Sequence, residues 1–164
     1  MPSAGKDLND YILFLTSRVN GIDKFIDGVV RQNKGEILKT LKLRLWNKGT
    51  DGDGVKIQTK IPADKQEASR KYRYKKKRRG YRSEPTNLRV HGDFYRSFRV
   101  FSIGGFIEID SLDNPDKVKR LFAKFGENIL SLTEEEQERF VEDFIRKEVI
   151  NWLQSNTEFT IIEL

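Results

Sequence analysis

Cysteine is absent from this 164-residue chain, so disulfides, cysteine-ligated zinc, iron–sulfur clusters and thiol catalysis are excluded. A single histidine rules out a multi-histidine metal site. No run of about 18 apolar residues occurs, as a membrane-spanning helix would need. The opening MPSAGKDLND lacks the apolar core of a signal peptide. These absences predict a soluble protein of a reducing compartment. What is present suffices for a core: 11 Phe, 5 Tyr and 2 Trp among 37% apolar residues. At 19.2 kDa the chain fits one domain, residues 1–164.

The formal charge of +6 is unevenly spread. Lys56 to Arg99 holds 15 basic and 4 acidic residues, a net of +11. Residues 1–55 carry +2 and residues 100–164 carry −7. A basic middle and an acidic end suit contacts between copies of the chain, or contact with a polyanion.

Hydrophobic spacing places the elements. Leu8, Ile12, Leu15, Val19, Ile22, Phe25, Ile26 and Val29 recur at steps of three and four, which predicts a helix interrupted or bent near Asn20-Gly21 and ended by Gly35. Residues 37–46 fit either a helix or a strand; the leucines, lysines and arginines favour a second helix capped at Gly49. Thr50 to Gly54 is a loop, and Val55 to Ala63 reads as short and extended. Asp64 to Arg79 is a solvated helix or a mobile arm, making residues 64–86 a basic insertion. Its core, Arg70 to Arg79, is expected to be poorly ordered or mobile in an isolated subunit because its charges repel.

Phe98 to Phe101 and Phe106 to Ile109 flank Gly104-Gly105, a hairpin signal over residues 97–110 with Phe98, Val100 and Ser102 on one side. Pro115 opens a helix that Gly126 closes. Thr133-Glu-Glu-Glu136 is a capping box. It opens a last helix whose buried stripe is Phe140, Val141, Phe144, Ile145, Val149, Trp152 and Leu153. Phe159 to Leu164 reads as an edge strand. The fold class is α+β: long N-terminal helices, a small antiparallel sheet, C-terminal helices.

The chemical motifs are few. Asp51-Gly-Asp53-Gly54 opens like a calcium loop, but Val55 and Pro62 stand where an EF-hand needs oxygen ligands, leaving a turn. His91, two residues before Asp93, has no nucleophile motif beside it. Gly104-Gly105 matches neither phosphate-binding glycine pattern. Glu134 to Glu136 suit a helix N-terminus. No catalytic residue, metal ligand or cofactor site emerges, and the protein reads as a non-enzyme.

Lys71-Tyr-Arg-Tyr-Lys-Lys-Lys-Arg-Arg79 is the strongest local signal, with seven cations in nine residues. The candidate polyanion- or partner-binding residues are Arg70, Lys71, Arg73, Lys75, Lys76, Lys77, Arg78 and Arg79. Cations release counterions from phosphates, and Tyr72 and Tyr74 can stack on unpaired bases. A solvated face, or a contact with an acidic protein, explains the run equally well. The run has no Asn or Gln to read base edges.

Asn87-Leu-Arg-Val-His-Gly-Asp-Phe-Tyr-Arg-Ser-Phe98 resembles the T-G-x-L-x-x-S segment of tailed-bacteriophage neck proteins, the tail-completion or head–tail connector family. His91 stands at the Thr position, Gly92 keeps the Gly, Phe94 takes the apolar position and Ser97 keeps the Ser. Leu45 to Gly54 is similar to that family's G-x-D-x-x-G turn. Phe125 to Thr133 is similar to its late G-x-x-I-x-G-L-T turn, with Ser131 replacing the second Gly. The likeness runs from about residue 8 to 154. It implies a non-enzymatic virion protein, assembled in the bacterial cytoplasm, that forms a ring between portal and tail and lines the DNA passage. The implied partners are other copies of the chain, portal or adaptor and tail proteins, and packaged double-stranded DNA, with no membrane. Gly92, Asp93, Phe94, Ser97 and Phe98 then serve architecture: a positive-φ glycine, a turn cap and apolar anchors. The other reading of the charge pattern is a small basic nucleic-acid-binding accessory protein.

Overall fold

One helix of 40 residues, Leu8–Asn47 (α1), is the spine of the molecule. The computed structural model describes residues 8–88, 92–104 and 106–156, with side chains from Gly21 onward except those of Ile103 and Asn156. The expected interruption at Asn20-Gly21 and the stop at Gly35 do not occur: α1 runs through both. A glycine inside a helix costs about 1 kcal/mol. The stripe Val30, Ile37, Leu41 and Leu45 is almost fully buried, and each such residue returns roughly 1.5–3 kcal/mol. Packing wins. The helix does stop at Gly49, as expected. Gly49 adopts φ +63°, its N–H donates to the Arg44 carbonyl at 3.1 Å, and a Cβ there would lie 2.7 Å from the Thr86 carbonyl oxygen.

The segment 55–63, expected to be extended, instead forms a 3-10 turn, Ile57–Lys60, followed by another, Ala63–Lys65. Ile57 and Ile61 are both buried, and the turn is closed by the Thr59 amide donating to the Lys56 carbonyl and the Ile61 amide to that of Gln58. The basic segment is a helix, Gln66–Arg78 (α2), which decides between the two expected alternatives. A one-turn helix, Asp93–Arg96 (α3), leads into the hairpin of Phe98–Ile103 (β1) and Phe106–Ser111 (β2).

The hairpin is antiparallel, with Phe98 opposite Ser111 and Val100 opposite Ile109. Phe98 and Ser102 are buried and Val100 half-buried, whereas Arg99 and Phe101 are exposed. Period-two alternation reads this face correctly. β1 lies along α1, where the Ser102 hydroxyl donates to the Asp27 carboxylate.

Pro115–Phe125 (α4) starts at an Asn114 cap whose side chain accepts from the Asp116 and Lys117 amides, and ends at Gly126. Glu134–Phe140 (α5) carries the expected capping box: Thr133 accepts from the Glu136 amide, and Glu136 accepts from the Thr133 amide. A π-helical stretch, Val141–Arg146, joins α5 to Lys147–Asn156 (α6). The wider π turn shifts the stripe. Phe140 is buried, but Val141 is 44% exposed, against the expectation. Phe144, Ile145, Val149, Trp152 and Leu153 are half-buried rather than core. Trp152 stacks on Phe25 with centroids 5.5 Å apart, which fastens α6 to α1. No described helix is long and apolar enough to cross a membrane. His91 and the expected strand at 159–164 lie outside the described residues.

Gly92 has φ +88° at the start of α3, as its place ahead of the hairpin predicts. A β-branched side chain is strained in that region. Gly92→Val should therefore destabilise the fold by about 1–3 kcal/mol, read as a lowered melting temperature; an unchanged one would refute the left-handed turn.

Candidate partner and polyanion interface

The candidate basic residues do not form one surface. Lys76 turns inward and is buried at 7% exposure, where its ammonium donates to Asn87 Oδ1 at 2.9 Å. Tyr95 donates its hydroxyl to the Asn87 carbonyl oxygen. Burial pushes the Lys76 ammonium below its ordinary 10.5. Arg73 is half-buried beside Lys76 and lies 4.0 Å from Glu84. So Lys76 is a correction to the candidate set: it anchors α2 to the segment before α3 and is not presented to a polyanion.

The other cations stay outside. Arg70, Lys71, Lys75, Lys77, Arg78 and Arg79 are all exposed. Lys71 pairs with Glu67 at 2.9 Å, four residues earlier. Tyr74 is 65% and Tyr72 51% exposed on the same helix. The Arg79 amide caps the helix end on the carbonyls of Lys75 and Lys76. This is a cationic face with aromatic rings in it, exposed on a helix whose Lys76 is buried.

Removing the Lys76 anchor should matter where removing its neighbours does not. Lys76→Ala should lower stability by about 1–3 kcal/mol, the cost of a lost charge-assisted bond at a buried acceptor. Lys75→Ala and Lys77→Ala, on exposed positions, should stay within about 0.5 kcal/mol of the parent. The unfolded chain keeps the Lys76 proton to higher pH than the folded one, so stability rises as pH climbs through the lowered folded value towards 10.5. Urea denaturation at neutral and alkaline pH reads both effects, and equal losses at positions 75, 76 and 77 would overturn the anchoring role.

The second candidate group builds one joint. Gly92 enters α3, whose Asp93 pairs with Arg96 on the surface. Phe94 is 2% and Phe98 0% exposed, with ring centroids 4.8 Å apart and planes near perpendicular. The Ser97 hydroxyl lies 2.7 Å from the Phe94 carbonyl oxygen and 2.7 Å from Ser111 Oγ. Ser97 thus ties the end of α3 to the far end of the hairpin.

Two residues that composition cannot single out hold the remaining turns together. Lys60 ion-pairs with the buried Asp51 carboxylate and donates to the Phe125 carbonyl at 2.9 Å and to Asn128 at 3.2 Å. Asp51 Oδ1 also accepts from the Asp53 and Val55 amides, so this carboxylate organises a turn. Arg44 reaches from α1 to Glu136 at 2.8 Å and to the Ser131 carbonyl. Burial pushes its guanidinium below the ordinary value, and the charges of Glu136 and Asp51 oppose that shift. The loop after α1 and the turn before α5 are therefore one packed unit, with the Gly52 amide donating to the Asn128 carbonyl at 2.8 Å. Among the described residues no group of three or more His, Cys, Asp or Glu is placed to hold a metal ion.

Comparison of the chain with protein-family models, with curated proteins and with solved structures finds no match.

Proposed function

We propose that this chain is a structural protein of a tailed bacteriophage, a neck or tail-completion component that forms a ring joining portal to tail around the DNA passage. The observation that carries the reading is the order of parts. The three segments that resemble neck proteins fall at connections between elements: after α1, at Gly92 ahead of the hairpin, and between α4 and α5. Each is a structural joint, as a scaffold protein requires. The exposed cations of α2 and the acidic C-terminal third supply complementary surfaces for neighbours in a ring.

A second reading, a small basic nucleic-acid-binding accessory protein, is favoured by the cationic and aromatic face of α2. Two measurements separate them. Genes flanking the one that encodes this chain should encode portal, capsid and tail proteins, and cryo-electron microscopy of the corresponding virions should place the chain in a ring at the neck. Unrelated flanking genes and absence from the particle would overturn the proposal. Neutralising Lys75, Lys77, Arg78 and Arg79 together to Gln should abolish neck assembly if α2 touches protein. If α2 touches DNA, assembly survives while DNA retention suffers. In the accessory reading, duplex binding by the purified chain falls steeply between 50 and 200 mM salt, by roughly tenfold or more.

A further inference from the structure

Two surfaces of this chain complement each other and cannot meet within one subunit. The first is the outer face of α2. With Lys76 inward, the helical step of about 100° puts Arg70, Tyr74 and Arg78 on the opposite side, flanked by Lys75 and Lys77. The second is a cleft of about 610 Å³ between β2 and the α5–π run. Its apolar lining includes Phe106, Ile109, Phe140, Val141 and Ile145. Phe106 is 80% and Val141 44% exposed, so apolar surface is left uncovered there. Its charged lining residues are Glu108, Asp110 and Glu127, and no cation lines it. Arg99 stands opposite Asp110 in the hairpin register, on the outer face beside the cleft.

We propose that the outer face of α2 on one subunit docks in the β2–α5 cleft of a second copy. Tyr74 enters against Phe106 and Val141, and the cations around it face Glu108, Asp110 and Glu127. Charge complementarity selects this occupant: the cleft pairs an apolar floor with an acidic rim, and α2 pairs an exposed ring with a basic surround. Duplex DNA would satisfy α2 but leave the cleft empty. No residue of α2 lines the cleft, and the Lys76–Asn87 bond fixes α2 elsewhere on its own subunit. The two surfaces differ, so the contact is head-to-tail and repeats from copy to copy until rotation closes it. The proposal rests on the ring-forming reading above and names the contact that would build it.

The cysteine-free sequence makes the test direct, because introduced cysteines are unique. Full-length Tyr74→Cys and Phe106→Cys proteins are mixed in equal amounts at low ionic strength and oxidised. The expected product is the mixed 74–106 disulfide dimer, in several-fold excess over the two homodimers. Glu108→Lys with Glu127→Lys on the Phe106→Cys protein should abolish that excess, and Lys75→Glu with Lys77→Glu on its partner should restore it. Circular dichroism confirms that each exposed-site variant is folded. Cross-linking in random proportions, indifferent to charge reversal, overturns the proposal. If sedimentation then still shows self-association, the ring reading stands and only this interface fails. If instead the chain stays monomeric and Lys75→Glu with Lys77→Glu abolishes salt-sensitive duplex binding, both the interface and the ring reading fall to the accessory-protein alternative.

Discussion

Replacing Arg44 with alanine should remove about 3–5 kcal/mol of stability, the usual cost of breaking a buried ion pair from one side. Arg44 is 4% exposed, and its guanidinium makes two kinds of bond. One nitrogen meets Glu136 at 2.8 Å, and another donates to the Ser131 carbonyl. Glu136 is itself only 12% exposed along its side chain, and the same carboxylate accepts the Thr133 amide at 3.0 Å. Without Arg44, a half-used carboxylate stays inside with its cation gone, and the capping box of α5 loses its support. Glu136→Gln keeps an acceptor for the Thr133 amide and removes the buried negative charge, so its loss should be smaller. Urea denaturation of both single variants and the double variant gives the coupling directly. A loss below about 1 kcal/mol for Arg44→Ala would mean that water replaces the guanidinium.

Arg44 also shows where reading the sequence stops. Local signals were legible: the Thr133 capping box, the Asn114-Pro115 helix start, the closing glycines Gly49 and Gly126, and the alternation of Phe98, Val100 and Ser102. Each is decided by residues within four positions of one another. The continuity of α1 was not, because glycine propensity is local whereas the stripe that overrides it is buried by partners far along the chain. The 3-10 turn at Ile57 escaped because a spacing of four, Ile57 to Ile61, lies on one side of a strand and of a helical turn alike. Lys60, Lys76 and Arg44 look like surface charges in any composition count. Folding brings them to acceptors 65, 11 and 92 residues away. The basic run was therefore legible as a charge but not as a helix with an inside and an outside. Val141 was misplaced because a π turn shifts the stripe by about one residue, which no periodicity count anticipates.

Phe98→Ala should cost about 3–5 kcal/mol, a large-to-small change at a fully buried ring. Phe98 has no exposed surface. Phe94 packs edge-on at 4.8 Å, Tyr95 stacks at 5.5 Å, and the Lys42 ammonium sits 5.9 Å from the ring centre. Such ring pairs add about 0.5–1.5 kcal/mol beyond area, so the loss belongs at the upper end of the range. Small domains hold only about 5–15 kcal/mol in total, and Phe98→Ala can therefore leave little folded protein. Phe98→Leu, which keeps most of the volume, should retain the fold with a smaller loss. The control is Phe106, the same residue type near the other end of the hairpin but 80% exposed. Phe106→Ala should change stability by no more than about 0.5 kcal/mol, while weakening self-association if the cleft receives a second copy. Thermal and urea unfolding of the three variants tests the ordering. Comparable losses at positions 98 and 106 would show that the joint at Gly92 to Phe98 is not the anchor of the hairpin.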